Sequence, residues 1–127
     1  MIVQKKVLIL DDEPIVGERL KASLERAGFI VDAMVSGVEA LKALQTEKYD
    51  ILVTDLKMSE PDGMHVLKIA HEINPGIKAV VITGFATKET AEEVKFRGAV
   101  EFIPKPFKIS RLKELLLRIS SPDRDSS

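Results

Sequence analysis

Three aspartates, a threonine and a lysine are the residues whose types and spacing point to chemistry. Asp11 and Asp12 follow the first apolar segment of the chain, Asp55 follows the third, Thr83 ends the fourth, and Lys105 comes shortly after the fifth. Carboxylates held close together repel one another, and a hard divalent cation with oxygen ligands, Mg²⁺ above all, relieves that repulsion. A carboxylate beside such a cation and an ammonium can attack phosphorus and form an acyl phosphate. The pattern therefore predicts a phosphoryl-accepting magnesium site with Asp55 as the nucleophile.

Each of these residues also has an ordinary structural interpretation. An aspartate pair before a helix is more often a cap than a ligand, a threonine at the end of a strand reflects β-propensity, and a lone lysine is usually solvated. Such interpretations do not explain why polar residues end so many apolar segments at once. The functional interpretation is therefore favoured, and the capping interpretation remains open.

Alternating apolar and amphipathic segments must position these residues. Five short apolar runs predict buried strands; they are Val7–Leu10, Phe29–Val35, Ile51–Thr54, Ile77–Thr83 and Val100–Ile103. Helical spacing lies between and after them, from Pro14 to a stop at Gly28, and then over 36–48, 63–74, 87–97 and 110–120. Strand–helix alternation predicts a single α/β domain, a doubly wound five-stranded parallel sheet with helices on both faces. Because parallel strands share one carboxyl edge, the candidate residues should meet there.

The apolar positions of each predicted helix should face the sheet. We expect Val38 in the second helix and Ile73 in the third to be among these buried positions. The fourth helix offers only Ala91, Val94 and Phe96, the thinnest apolar stripe of the five. This helix should therefore be the easiest to displace, although a well-solvated surface helix would have the same pattern.

Composition excludes several classes of function. The chain has 127 residues with 19 basic and 20 acidic side chains, a net charge of −1 and no cysteine. This length predicts one domain over residues 1–120, and the polar residues 121–127 read as a tail or linker. Charge balance argues against direct nucleic acid binding, and the absence of cysteine excludes thiolate chemistry. With no apolar run near membrane-spanning length and no signal pattern, we expect a cytoplasmic protein without membrane contact.

Four segments together resemble the receiver domain of two-component response regulators. They are Leu8–Glu13, Asp55–Met58 with Asp62–Gly63 beyond it, Val81–Gly84 and Phe102–Phe107. The resemblance covers residues 5–120 and implies the flavodoxin-like strand order 2-1-3-4-5. It also implies a sensor histidine kinase, or a phosphotransfer protein, as the partner that supplies the phosphoryl group.

The resemblance assigns a role to each site residue. Asp55 accepts the phosphoryl group, Asp12 and Asp55 ligate Mg²⁺ directly, Asp11 assists through water, and the backbone carbonyl of Lys57 completes the protein ligands. Lys105 contacts the phosphoryl group, with a cis bond to the following proline.

The resemblance also implies a switch. The Thr83 hydroxyl moves onto the phosphoryl group, which vacates space for the ring at the aromatic switch position, Phe102. The surface of the fourth helix, fifth strand and fifth helix then changes, and a homodimer could form through it.

Two departures and two alternatives accompany this resemblance. Ser59 follows Met58 where the family often has proline, and the switch residue is Phe102 rather than tyrosine, so it has no hydroxyl. A small magnesium-dependent phosphatase with an aspartate nucleophile would need an acidic residue at Lys57. A receiver-like interaction module that is never phosphorylated would not need the acidic site. His65 and His71, six residues apart, are expected to be surface residues rather than metal ligands.

Overall fold

Strands and helices alternate along the chain, as predicted. The computed structural model describes residues 4–56, 61–84 and 86–120. The strands are β1 (Lys6–Leu10), β2 (Ile30–Met34), β3 (Ile51–Asp55), β4 (Lys78–Thr83) and β5 (Glu101–Pro104). The helices are α1 (Pro14–Arg26), α2 (Gly37–Thr46), α3 (Gly63–Ile73), α4 (Lys88–Phe96) and α5 (Ile109–Ile119). The strands form one parallel sheet in the order β2-β1-β3-β4-β5, which confirms the predicted fold.

The central strands are apolar on both sides because helices cover both faces of the sheet. Leu8 and Leu52 point into a core formed with α2, α3 and α4, whereas Ile9 and Val53 point into a second core formed with α1 and α5. All four side chains are inaccessible to solvent. Their continuous burial explains why these strands lack the polar alternation of a sheet with one wet face.

Local signals set the ends of several helices. Helices α2, α3 and α4 each have a side-chain cap at the N-terminus, formed by Ser36, Asp62 and Thr87 respectively. Each of these side chains accepts a hydrogen bond from the backbone N–H three residues later in the chain. The turn after α1 passes through Gly28 with φ 103°, and the turn after α4 passes through Gly98 with φ 105°, a backbone conformation that favours glycine. These signals lie within a few residues of each helix end, which is why the predicted boundaries were close.

Three apolar side chains predicted to be buried are exposed. Val38, Ile73 and Phe96 expose 50%, 45% and 90% of their surface. In α4 the buried side chain that contacts the core is Val94. Residues two positions apart in a helix point about 200° away from each other around the axis, so Phe96 cannot face the core as well. In α2 the same geometry places Ala40 inside and Val38 outside. Ile73 is the last residue of α3. The α4 contact with the core is therefore even thinner than predicted.

The two histidines differ. His65 is exposed, as expected, whereas His71 is half-buried with its ring against Gly98 and its Nδ1 3.2 Å from the Leu67 carbonyl oxygen. None of the helices in the described ranges has the length and hydropathy needed to cross a membrane.

Candidate functional site

The ends of three strands bring the predicted residues to one edge of the sheet. Asp55 and Thr83 are the last residues of β3 and β4. Asp11 directly follows β1, and its N–H donates to the Met34 carbonyl oxygen at 3.1 Å. The Lys105 N–H donates to the Thr83 carbonyl oxygen at 2.8 Å, which extends the β4–β5 pairing by one residue. Backbone pairing of the sheet therefore positions all four residues.

Lys105 forms the centre of the site. Its Nζ donates to Asp11 Oδ2 at 2.9 Å and to Asp55 Oδ2 at 2.8 Å. Asp11 is fully buried and Asp55 is 7% exposed, so both carboxylates are shielded from water, whereas the Lys105 side chain is 21% exposed. Burial of Lys105 works against its charge, but hydrogen bonds and attraction from Asp55 and Asp11 outweigh it, and the net effect raises the Lys105 pKa above its ordinary value. The ammonium is therefore permanently charged at neutral pH.

The three aspartates are arranged as a cation site would require. Carboxylate oxygens of Asp11, Asp12 and Asp55 lie within 4.8 Å of one another. Asp12 is exposed, whereas the other two are buried, so the group opens to solvent on one side. Oxygen donors of this kind fit Mg²⁺, which prefers carboxylates and retained water. Lys57, whose carbonyl was predicted as a further ligand, lies outside the described residues.

Charge at this edge is unbalanced. Among the described residues, the three carboxylates of Asp11, Asp12 and Asp55 lie beside the ammonium of Lys105, which leaves two negative charges of this group in excess before any ligand binds. A divalent cation would offset that excess, and the cation with Lys105 would then present positive charge to a phosphoryl group. The arrangement can therefore hold a metal ion and support attack on phosphorus by a fixed carboxylate.

Thr83 and Phe102 lie on one face of the sheet. Val81 pairs with Phe102, and alternation along β4 places Thr83 on the same side as Val81. Thr83 is fully buried, and Phe102 is half-buried against the core that α4 covers. The two predicted switch residues therefore lie on the same face of neighbouring strands.

Gly63 belongs to a segment that carries the resemblance, but it was given no role in the site. Its N–H donates to the Leu56 carbonyl oxygen at 3.2 Å, and a Cβ at this position would overlap the Asp55 carbonyl oxygen. Only glycine therefore lets α3 begin against the backbone of Asp55. Its place directly after the capping residue Asp62 was the available signal.

Glu13 is a second residue that was given no role. Its carboxylate Oε1 lies 3.5 Å from Lys105 Nζ, and its N–H donates to Asp11 Oδ1 at 2.9 Å. The N-cap residue of α1 is Glu13, without a side-chain cap, so the capping interpretation of the aspartate pair is wrong. The run of three consecutive acidic residues, Asp11 to Glu13, was the sequence signal that could have assigned Glu13 to the site.

The Lys105–Pro106 peptide bond is cis, as the resemblance implies.

Residues 7–117 match the model of the response regulator receiver domain family. The chain belongs to this family. Among curated proteins, it is 32% identical to the transcriptional regulatory protein ZraR of Salmonella typhimurium over 120 residues, which cover 94% of this chain and 27% of that protein. It is 28% identical to the response regulator protein PilR of Pseudomonas aeruginosa over 127 residues, 98% of this chain and 28% of that protein.

Solved receiver domains share this architecture. The CheY-like response regulator receiver domain protein of Methanospirillum hungatei superposes with a TM-score of 0.87 and 28% identity, covering 92% of this chain and 94% of that chain. This receiver domain chain thus has nearly the full length of that structure but spans only about a quarter of ZraR and PilR.

Proposed function

We propose that this receiver domain accepts a phosphoryl group on Asp55 from a sensor histidine kinase or a phosphotransfer protein. The observation that carries the proposal is the bridge from Lys105 to Asp11 and Asp55 at 2.9 and 2.8 Å beside Asp12. Membership of the receiver family supports the same role. The protein would act in the cytoplasm and turn over no phosphoryl group except its own.

The chain's own carboxylates would hold a magnesium ion. Asp12 and Asp55 are the direct ligands in this proposal, Asp11 acts through water, and the Lys57 carbonyl completes the protein ligands. When bound, Mg²⁺ neutralises charge on the phosphoryl oxygens. Lys105 contributes a second positive charge from the protein itself, since its ammonium already contacts Asp55.

Phosphoryl transfer would proceed by in-line displacement. One carboxylate oxygen of Asp55 attacks phosphorus and forms the new P–O bond, while the P–N bond of the donor phosphohistidine breaks. The bonding electron pair stays on the imidazole nitrogen of the donor. Lys105 keeps its contact with Asp55 and donates to a phosphoryl oxygen. With a proton on its other ring nitrogen, the donor leaves as a neutral imidazole, and this chain need not supply one.

The switch would couple Asp55 to the surface formed by α4, β5 and α5. Thr83 moves its hydroxyl onto the phosphoryl group, and the Phe102 ring occupies the space that Thr83 leaves. Val94 is the single fully buried side chain of α4, whereas α5 buries Leu112, Leu115 and Leu116. Helix α4 therefore costs less to displace than its neighbour.

This surface would serve partners or a homodimer. It carries charges of both signs, and the Arg118–Glu101 ion pair is loose, at 3.8 Å between exposed side chains. Such pairs exchange at little cost, so the same charges are available to a second molecule. Direct nucleic acid binding is not part of the proposal.

Charge reversal tests the surface. Lys95→Glu on α4, or Arg97→Glu directly after it, should weaken dimerisation or partner binding of the phosphorylated protein, measured by light scattering and by titration with the kinase. Lys42→Glu, at an exposed position of α2, is the matched control. Unchanged association in the α4 variants would overturn the use of this surface without affecting phosphorylation.

Intact mass after incubation with acetyl phosphate and Mg²⁺ tests the phosphoacceptor. The wild type should gain the mass of one phosphoryl group, Asp55→Asn should gain none, and chelation of Mg²⁺ should abolish the gain. Asp32→Asn, in the middle of β2, is the matched control and should keep it. Turnover of unrelated phosphomonoesters would indicate a phosphatase instead, and absence of any adduct would indicate an interaction module that is not phosphorylated.

A further inference from the structure

Glu13 holds an unusual place beside the phosphoacceptor. Its backbone is fixed, because the Glu13 N–H donates to the buried carboxylate of Asp11 at 2.9 Å. Its side chain is 65% exposed and still lies within ion-pair distance of Lys105 Nζ, at 3.5 Å from Oε1. The Glu13 carboxylate therefore stands at the solvent side of the site, where a phosphodonor must enter.

The donor count of Lys105 makes this contact consequential. An ammonium has three N–H groups, and Lys105 commits two of them to Asp11 and Asp55 at 2.9 and 2.8 Å. The third is left for either Glu13 or an oxygen of an incoming phosphoryl group. Glu13 and the phosphoryl group therefore compete for one donor.

The negative charge of Glu13 also hinders the approach of a phosphodonor. In the part of the chain that the structure describes, Glu13 adds a fourth carboxylate to Asp11, Asp12 and Asp55 at this edge, so the excess negative charge rises from two to three without a cation and from zero to one with Mg²⁺ bound. A phosphodonor is itself an anion and must approach against this charge. Neutralising one exposed carboxylate a few ångströms from its path would favour that approach, most strongly at low ionic strength.

We propose that Glu13 selects against small anionic phosphodonors by competing for the Lys105 ammonium and repelling the incoming phosphoryl group. The inference rests on the proposed function of Asp55. A protein donor that docks on the domain brings its own surface charges and binding energy and overcomes this barrier, whereas a small donor has neither. Glu13 would thus keep phosphorylation dependent on the protein partner.

An opposite role, in which Glu13 holds Lys105 in place, is less consistent with the geometry. Two buried carboxylates already fix the ammonium with hydrogen bonds, and the Glu13 contact is longer and solvent-exposed. Exposed ion pairs contribute little to holding a side chain. The two roles predict opposite changes in the rate of phosphorylation when the Glu13 charge is removed: an increase if Glu13 competes for Lys105, and a decrease if it holds Lys105 in place.

Glu13→Gln tests the proposal because it removes the charge and keeps the shape. Rates of phosphorylation would be followed by intact mass at saturating Mg²⁺ with acetyl phosphate and with the less negatively charged phosphoramidate. We expect acetyl phosphate to react about two- to fivefold faster with the variant at low salt, the gain to shrink as salt increases, and phosphoramidate to gain less. Glu25→Gln, exposed near the other end of α1 and about 18 Å along the helix, is the matched control and should behave as wild type.

Other results would overturn either the role of Glu13 alone or the proposed function as well. Equal rates in Glu13→Gln, Glu25→Gln and wild type would overturn the role of Glu13 and leave Asp55 as phosphoacceptor. A slower Glu13→Gln, or a gain that ignores salt and donor charge, would also overturn it. If the wild type gains no phosphoryl group from either donor, the proposed function fails and this inference fails with it.

Discussion

The polar groups around the start of β3 and those at the carboxyl edge of the sheet follow different rules. At the start of β3, the Tyr49 hydroxyl donates to Asp32 at 2.6 Å, Asn74 donates to the Tyr49 carbonyl oxygen at 3.0 Å, and the Lys6 N–H donates to Asp50 at 2.9 Å. Each acid there has its own donor. At the carboxyl edge, Asp11, Glu13 and Asp55 share the one ammonium of Lys105.

The difference separates polar groups that stabilise the fold from polar groups that await a ligand. Burial, the hydrogen bond to Asp32 and the Asp32 charge all raise the Tyr49 pKa above its ordinary value, so the phenol stays a neutral donor. Nothing further is needed to satisfy that pair. The excess negative charge of the described groups at the carboxyl edge, in contrast, would be offset by a bound cation, so we expect the stability of the domain to depend on Mg²⁺.

Lys105→Met, at the carboxyl edge, should change the free energy of unfolding more than Tyr49→Phe at the start of β3. Asp11 would remain fully buried with its charge uncompensated, and we expect a loss of about 2–3 kcal/mol in the free energy of unfolding without metal. Saturating Mg²⁺ should restore part of it. Urea unfolding with and without Mg²⁺ measures both quantities.

Lys68→Met, on the exposed surface of α3, is the control and should change little. A Lys105→Met protein as stable as wild type in the absence of metal would contradict the central place given to this ammonium.

Tyr49→Phe should have a smaller effect of a different kind. Asp32 would lose the donor at 2.6 Å, which should cost about 1–2 kcal/mol in the free energy of unfolding. The loss should be the same with and without Mg²⁺, and phosphorylation of Asp55 should be unchanged. A Mg²⁺-dependent loss would show that the two regions are coupled after all.

The pH dependence of Tyr49 offers a second readout on the same variant. Folding raises the pKa of the Tyr49 phenol above its ordinary value of 10.0. The stabilisation linked to this shift is therefore complete at pH values below 10.0 and decreases as the pH increases above that value. The difference in unfolding free energy between wild type and Tyr49→Phe should therefore narrow above pH 10.0. A constant difference across this range would be inconsistent with the raised pKa.

Asp12→Asn should have the smallest effect on stability, with the opposite sign. Asp12 is exposed and makes no ion pair within the described part of the chain, so the substitution removes repulsion and no favourable contact. We expect a gain of about 0.5 kcal/mol without metal. The same variant should lose most of the stabilisation that Mg²⁺ confers on the wild type, as measured by thermal unfolding at increasing Mg²⁺. Loss of stability without metal would argue against charge excess at this edge.

The sequence predicted the elements well because their signals are local. Capping residues such as Ser36 and Thr87 and the glycines at 28 and 98 act within a few residues, and continuous apolar runs identify strands covered on both faces. Strand–helix alternation then placed Asp11, Asp55, Thr83 and Lys105 at one edge, because parallel strands end on the same side.

Helix faces and long-range contacts were harder to predict. Phe96 and Val94 are both apolar, and only packing of α4 on the sheet decides that Val94 turns inward. The capping interpretation of the aspartate pair failed for a similar reason. Asp11 accepts the N–H of Glu13 two residues on through one carboxylate oxygen and contacts Lys105, 94 positions away, through the other, and the residue that caps α1 is Glu13.

The sequence by itself determined the order of the elements, the parallel sheet and the residue types that meet at its carboxyl edge. These follow from periodicity and from short-range backbone preferences, which each segment carries alone. Only the tertiary structure decided how charges are shared at that edge: that Lys105 contacts Asp11, Asp55 and Glu13 together, and that Gly63 lies against Asp55. Electrostatic balance depends on distances of a few ångströms between residues far apart in the chain, and those distances exist only once the sheet has folded.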